Sequence, residues 1–228
     1  MSATAPAAIV LSSLALKGVL EKFQARFERS VGPLELSFDA TQALLPLVRA
    51  GAKADLLILA AEAMDELSSC GTVVRTWPLG SSGVGVAVRA GAPKPDIGSV
   101  EALKSALLAA RSVAHSKIGA SGLYFSELLE RLGIASRLKQ RVVVEKGPVG
   151  AVVAAGEAEL GVQQLCELAP VAGIDIVGPL PAPVQKLTYF AAGIPAAAVR
   201  PDAALALVEL LRSGAARAAM IEGGLQPA

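Results

Sequence analysis

The segment His115–Gly122 combines an imidazole, an ammonium group, two hydroxyls and two glycines just before a predicted helix. Small residues let the backbone approach a ligand closely, and Lys117 supplies a positive charge for an anion. His115 is the one histidine of the chain, and because an imidazole titrates near neutral pH it is a candidate general base. Ser116 and Ser121 add hydroxyl donors. The alternative interpretation is a solvated loop in which Ser121 only caps the helix.

Two further polar turns lie in the N-terminal third. Ser12 and Ser13 follow the first predicted strand, where a serine caps a helix and free amides attract anions. In the turn Asp39-Ala40-Thr41, Thr41 can cap the next helix and donate to a ligand. Asp39 is poorly suited to an anion and is expected instead to cap the next helix or to bond a neighbouring backbone amide. Taken alone, the serines are better explained as an ordinary N-cap.

Two more polar turns lie between residues 146 and 164. Pro148 suits the first position of a helix and leaves the next amides, including that of Val149, free for a ligand. Gln163 and Gln164 follow a predicted strand, where an amide side chain can contact a ligand. A pair of surface glutamines is the alternative.

Short apolar runs alternate with amphipathic stretches, which predicts an α/β fold with parallel strands. The predicted strands are Ala7–Leu11, Leu34–Phe38, Asp55–Leu59, Gly83–Val88, Ser112–Ala114, Arg141–Val144, Leu160–Val162 and Leu187–Ala191. The predicted helices are Ser13–Arg29, Gln42–Ala50, Glu62–Ser69, Val100–Ala110, Gly122–Leu132, Pro148–Ala155, Ala203–Arg212 and Gly214–Ile221. Ligands bind beyond the carboxyl ends of such strands, so we expect the five polar turns to converge on one pocket.

Composition excludes several functions. The 228 residues carry a net charge of +1 and 53% hydrophobic side chains, which argues against nucleic acid as a partner, and no apolar run is long enough for membrane insertion. A single histidine argues against a site with several histidine ligands, and Cys70 and Cys166 are expected to be reduced and structural. Gly80–Gly85 precedes a strand instead of following one, so it is no nucleotide loop. We therefore expect no cofactor and no metal.

The N-terminus, Met1–Leu11, lacks the basic start, apolar stretch and cleavage site of a secretory signal. As written, the sequence predicts a cytoplasmic protein. A leader removed before Met1 would make the protein periplasmic instead.

The layout resembles the molybdate-binding proteins of bacterial ABC transporters, within the type II periplasmic binding protein fold, over nearly the whole chain. The stretches that carry this resemblance are Ser12–Leu14, Phe38–Thr41, Ala50–Ile58, Val149–Ala155, Gly156–Gly161 and Gly178–Pro183. The resemblance implies two lobes, residues 1–83 with 190–228 and residues 84–189. Each lobe would have a mostly parallel sheet flanked by helices, two crossover strands would form a hinge, and the ligand would lie in the cleft.

The resemblance also implies a set of ligand-binding positions, with closure of the hinge around an anion. Those positions are Ser12, Ser13, Ala40 and Thr41 in one lobe and Ser116, Lys117, Ser121, Pro148, Val149 and Gln164 in the other. This chain departs from the family at Asp39–Thr41, where molybdate binders usually have a turn such as Gly-Ser-Ser. It departs again at Gln163-Gln164, where a tyrosine commonly contacts the oxyanion. These departures favour a small di- or tricarboxylate.

Three functions follow from the resemblance. The first is capture of a small anion, with a transporter permease as partner if the protein is exported. The second is isomerisation of a small polycarboxylate, because relatives include an aconitate isomerase. In that case His115, Lys117 and Asp39 are the candidates for the base that moves an allylic proton. The third is a cytoplasmic ligand sensor.

Overall fold

The computed structural model describes residues 6–228. Residues 1–5 lie outside the described residues. They include the start of the first predicted lobe and part of the segment in which we looked for a secretory signal. The chain divides into two compact units, residues up to Ser81 with Thr188–Ala228, and Ser82–Leu187. Both divisions fall inside strands, β4 (Val73–Arg89) and β9 (Leu187–Pro195).

The first unit contains a sheet in the order β2-β1-β3-β9. Strand β1 is parallel to β2 and β3, whereas β9 is antiparallel to β3 and β10 is antiparallel to β4. Besides β9 and the first part of β4, the elements are β1 (Ala8–Ser13), α1 (Lys17–Ser30), β2 (Leu34–Asp39), α2 (Thr41–Arg49), β3 (Leu56–Ala60), α3 (Ala61–Ser69), α8 (Pro201–Leu211), α9 (Gly214–Glu222) and β10 (Gln226–Pro227).

Apolar patterning explains these elements. All of β3 is buried, as its continuous apolar sequence predicts for a parallel strand at the centre of a sheet. Helix α1 buries Val19, Leu20, Phe23 and Phe27 along one face. Gly51, which has φ +84°, follows α2, where its left-handed backbone conformation ends the helix at little cost.

The second unit contains a sheet in which β4 lies between β8 and β7, followed by β5 and β6. Strands β5, β6 and β7 are parallel, and β4 is antiparallel to both of its neighbours. Besides the second part of β4, the elements are α4 (Val100–Ala109), β5 (Val113–Ser116), α5 (Ala120–Arg131), β6 (Arg141–Val144), α6 (Val149–Ala154), β7 (Leu160–Gln164), α7 (Leu165–Leu168) and β8 (Ile174–Pro179).

Helices cover both faces of this second sheet. Phe125 and Leu129 of α5 belong to a buried cluster with Val162 of β7. Val149 and Val153 of α6 belong to another buried cluster that includes Ala114 and Val144. Burial of apolar side chains on both faces holds the parallel strands with their carboxyl ends at a common edge.

The structure corrects several predicted boundaries. Strand β4 begins at Val73, ten residues before the predicted start at Gly83, and β8 was not predicted. Polar residues also extend three strands: β1 includes both serines, β5 includes His115 and Ser116, and β7 includes both glutamines. We predicted that each strand ends where its polar residues begin. In the structure these polar residues continue the strand, because neighbouring elements cover them.

Among residues 6–228, no helix is both long enough and apolar enough to cross a membrane.

Candidate functional site

Two edges of polar groups follow the parallel strands, one in each unit. In the first unit, Ser12 and Ser13 end β1, and Ser13 is paired in register with Asp39 at the end of β2. Ser12 is also in register with Ile58 of β3. The polar turns after β1 and β2 therefore lie together, as expected from the common direction of the strands. We call this group, Ser12, Ser13, Asp39, Ala40 and Thr41, the first edge.

The two serines of the first edge differ in their hydrogen bonding. Ser12 Oγ donates to the carbonyl of Ser13 over 2.9 Å. Ser13 is only 4% exposed, and its Oγ has no hydrogen-bond partner among the residues that the structure describes. A buried hydroxyl without a partner costs about 1–3 kcal/mol, so it is a position where a ligand atom would restore a missing hydrogen bond.

The helices that start at the first edge carry no side-chain caps. Ala40 and Ala60 are the N-cap residues of α2 and α3, and neither helix has a side-chain cap bond. Thr41 was predicted to cap α2, but it is the first helical residue, and its Oγ1 accepts a hydrogen bond of 3.0 Å from Ala60 N. Asp39 Oδ1 accepts from Ala40 N at 2.8 Å, as expected. The first amides of an α-helix lack intrahelical partners and favour anions.

In the second unit, the turn after β5 is formed by residues 116–119. Ser116 Oγ accepts from Gly119 N at 3.0 Å, and Lys117 N donates to the Val144 carbonyl at 2.9 Å. Gly119, not Ser121, is the N-cap of α5, and Ser121 is buried within the first turn. Gly122 is required here, since a Cβ at this position would lie 1.9 Å from the Ser116 carbonyl oxygen.

The end of β7 lies beside the start of α6. Gln163 Oε1 accepts a hydrogen bond of 2.8 Å from the Val149 amide. The sequence predicted that this amide is free, and that prediction is wrong. Pro148 is the N-cap of α6 instead of its first residue. Gln164 is buried, and its Oε1 lies 3.6 Å from Cys166 Sγ. We call the residues at this end, Ser116, Lys117, Ser121, Pro148, Val149 and Gln164, the second edge.

His115 does not lie in a loop, as the sequence predicted, but inside β5, and it is 3% exposed. Its Nδ1 lies 3.0 Å from the Ser116 carbonyl and its Nε2 lies 3.1 Å from an Arg141 nitrogen. Because a guanidinium only donates, Nε2 must accept and Nδ1 must carry the proton. Burial, together with the charge of Arg141, lowers the pKa of His115, and the Ser116 carbonyl acts in the opposite direction. His115 is a neutral core residue packed edge-on against Phe125.

Lys117 does not present an unpaired charge to a ligand. Its Nζ forms an ion pair with Glu145 at 2.9 Å, and both side chains are more than half exposed. Of the three predicted bases, Asp39 keeps an accessible position at an edge. Its side chain is only partly buried, and its Oδ1 accepts from the neighbouring Ala40 amide.

Sequence reasoning missed Glu167. This residue lies in α7, and its carboxylate accepts a hydrogen bond from Gln163 Nε2. Burial raises the pKa of Glu167 to about 7, and the Gln163 donor acts in the opposite direction. The only signal in the sequence was a glutamate four residues after Gln163, which is common on any helix surface.

In residues 6–228, neither the two cysteines nor the other side chains that commonly bind metals form a metal site. Both cysteines are free; Cys166 is buried, whereas Cys70 is exposed, so packing accounts for Cys166 alone. Within residues 6–228, no group of three or more His, Cys, Asp or Glu side chains is placed to hold a metal ion.

A family model described as bacterial extracellular solute-binding protein matches residues 8–226. The chain belongs to this family. It is 38% identical over 229 residues to an aconitate isomerase from Pseudomonas sp, covering 96% of this chain and 87% of that protein.

Solved structures show the same fold. The periplasmic molybdate-binding protein of Azotobacter vinelandii superimposes with a TM-score of 0.75 at 19% identity, over 96% of this chain and 98% of that one. The tungstate-binding protein of Desulfovibrio alaskensis G20 gives a TM-score of 0.63 at 16% identity, over 98% and 99%. The predicted α/β, type II periplasmic binding protein fold is therefore confirmed, as is the solute-binding family.

Proposed function

We propose that this solute-binding protein captures a small anion, preferentially a di- or tricarboxylate, with the polar groups of the first edge and of the second edge as its candidate contacts. The observation that carries this proposal is the buried Ser13 hydroxyl without a partner. Ser13 is in register with Asp39, two residues before the start of α2, whose first amides have no side-chain cap. Neutral donors of this kind stabilise a negative charge without a cation. The units defined above would act as the lobes predicted at residues 1–83 with 190–228 and 84–189.

A panel of anions in a thermal unfolding experiment tests this function. Trans-aconitate, citrate, succinate, molybdate, tungstate and sulfate are compared with the neutral trimethyl ester of aconitate. A ligand at 100 times its Kd adds about 2.7 kcal/mol of stability, which in a chain of this size raises Tm by about 5–10 °C. We expect this rise for a carboxylate and no rise for the ester. If no anion of the panel raises Tm, the proposed function is wrong.

A second candidate is isomerisation of the bound polycarboxylate. The 38% identity with a protein named aconitate isomerase, over 96% of this chain, favours it. The reaction needs a base that removes a proton from the carbon next to the double bond and a proton returned to a different carbon as the double bond shifts. No electron is gained or lost. Asp39 is our candidate for the base, since His115 and Lys117 are engaged elsewhere.

Incubation with trans-aconitate, followed by chromatographic detection of the cis isomer, tests the second candidate. In deuterated water the product should also carry deuterium at the carbon that receives the returned proton. Asp39→Asn keeps an oxygen that can accept from Ala40 N but removes the base. We expect this variant to bind trans-aconitate and to lose turnover. Binding without any cis isomer in the unmodified protein would leave anion capture as the function and remove the isomerase.

The place of action separates these functions further. The family is described as extracellular, which supports our proposal of an exported protein whose partner is a transporter permease. A cytoplasmic location, as the sequence predicted, would instead favour the isomerase or the ligand sensor. Fractionation of the native host, with detection by antibody, distinguishes the two locations.

A further inference from the structure

Gln163 is held at both ends of its side-chain amide. Its Oε1 accepts from Val149 N at 2.8 Å, and its Nε2 donates to the carboxylate of Glu167. Gln163 is 1% exposed and lies at the carboxyl end of β7, which is parallel to β5. Glu167 therefore fixes a side chain at the same end of the sheet as the second edge.

The elements that pack against α7 offer little to compensate a negative charge on the carboxyl group of Glu167. Helix α7 packs against β7, β8 and α6, and β7 and α6 contain no titratable side chain. Strand β8 contributes Asp175, whose Oδ2 accepts from Gly91 N at 2.9 Å. On α7 itself, burial raises the pKa of the Cys166 thiol, and the charge of Glu167 raises it further, so this thiol stays neutral. Burial raises the pKa of Glu167 to about 7.

We propose that Glu167 is a positioning residue of the anion site: it holds Gln163 and becomes protonated when an anion binds at the second edge. This inference rests on the proposed function. A negative ligand disfavours an ionised carboxylate near it, and binding that favours the protonated form must take up a proton from the solvent. The hydrogen bond to Gln163 survives, because a protonated carboxyl group still has an oxygen that accepts.

Calorimetric titration with trans-aconitate at pH 7.5, in two buffers of different ionisation enthalpy, counts the protons taken up. The unmodified protein is compared with Glu167→Gln, which keeps the acceptor oxygen but cannot titrate. Glu101→Gln is the matched control, since Glu101 is 81% exposed on α4. Protons bound by the ligand itself are common to all three proteins and cancel in the comparison.

We expect more proton uptake in the unmodified protein and in Glu101→Gln than in Glu167→Gln. From pH 8.5 to 6.5 the affinity should rise about 3- to 10-fold more in the unmodified protein than in Glu167→Gln, within the limit of about tenfold per pH unit for one proton. Equal proton uptake with trans-aconitate bound would overturn the inference and leave the proposed function standing.

A second measurement does not depend on the variant. If Glu167→Gln fails to unfold cooperatively, the unmodified protein is titrated with succinate at pH 7.5, where this ligand is already a dianion. Uptake of a measurable fraction of a proton supports the role of Glu167, and no uptake overturns it. If no anion binds at all, the proposed function and this inference both fail.

Discussion

Replacement of Ser13 by alanine separates a structural role of this hydroxyl from a role in binding. Ser13 Oγ is buried and has no partner among the described residues. Without ligand, its removal breaks no hydrogen bond and relieves the cost of a buried polar group. We therefore expect the free energy of unfolding of Ser13→Ala to be unchanged or to rise by up to about 1 kcal/mol.

With a bound anion the expectation reverses. A hydrogen bond to a charged group contributes about 1.5–3 kcal/mol, and about 1.4 kcal/mol corresponds to a tenfold change in Kd. The Kd for trans-aconitate should therefore rise about 10- to 150-fold in Ser13→Ala. Urea unfolding without ligand and calorimetric titration with ligand measure the two effects on the same protein.

Ser12→Ala is the matched control for stability, because Ser12 Oγ donates to a carbonyl at 2.9 Å within the fold. Its loss should lower the free energy of unfolding by about 1 kcal/mol. If Ser13→Ala is destabilised as much as Ser12→Ala and binds trans-aconitate with unchanged Kd, the hydroxyl is structural and our reasoning about the first edge is refuted.

Three further predictions concern stability and are measured by urea or thermal unfolding. Asp55 accepts from three backbone amides at 2.7–2.9 Å, so Asp55→Ala should lower the free energy of unfolding by about 3 kcal/mol or more. Glu209→Ala, on the exposed face of α8, is the control and should change it little. A loss below about 1 kcal/mol in Asp55→Ala would contradict the role of these hydrogen bonds. Burial raises the pKa of Glu167 from its usual 4.5 to about 7. Because the unfolded chain ionises first, this group destabilises the fold as pH rises through that range. Glu167→Gln should therefore be more stable than the unmodified protein by up to about 3 kcal/mol at pH 8 and equally stable at pH 4. A stability difference independent of pH would show that Glu167 does not titrate in this way. Gly122→Ala places a Cβ 1.9 Å from a carbonyl oxygen, whereas the Cβ of Gly214→Ala meets no atom within 4 Å. Gly122→Ala should therefore lower Tm by several degrees, at about 2–4 °C per kcal/mol of lost stability. Equal Tm values for the two variants would contradict the packing of α5 on β5.

Hydrophobic patterning determined the fold class and the order of most elements. The apolar run of β3 and the spacing of apolar residues in α1 specify a buried strand and an amphipathic helix, because their burial requires that pattern. The direction of parallel strands then places polar residues such as Ser13 and Asp39 at one edge, in register. These features depend on local sequence and general rules of sheet topology, so they could be predicted.

Hydrogen-bond partners that are far apart in the chain could not be predicted, since only the tertiary fold brings them together. His115 has the residue type of a base, but burial against Phe125 and the contact with Arg141 make it a neutral core residue. Lys117 pairs with Glu145, 28 residues away. Glu167 carries no motif, and its raised pKa results from burial that only tertiary packing produces. The sequence by itself therefore determined which strand ends are polar. The tertiary structure decided which of those polar groups are already satisfied and which, like Ser13 Oγ, have no hydrogen-bond partner among the described residues.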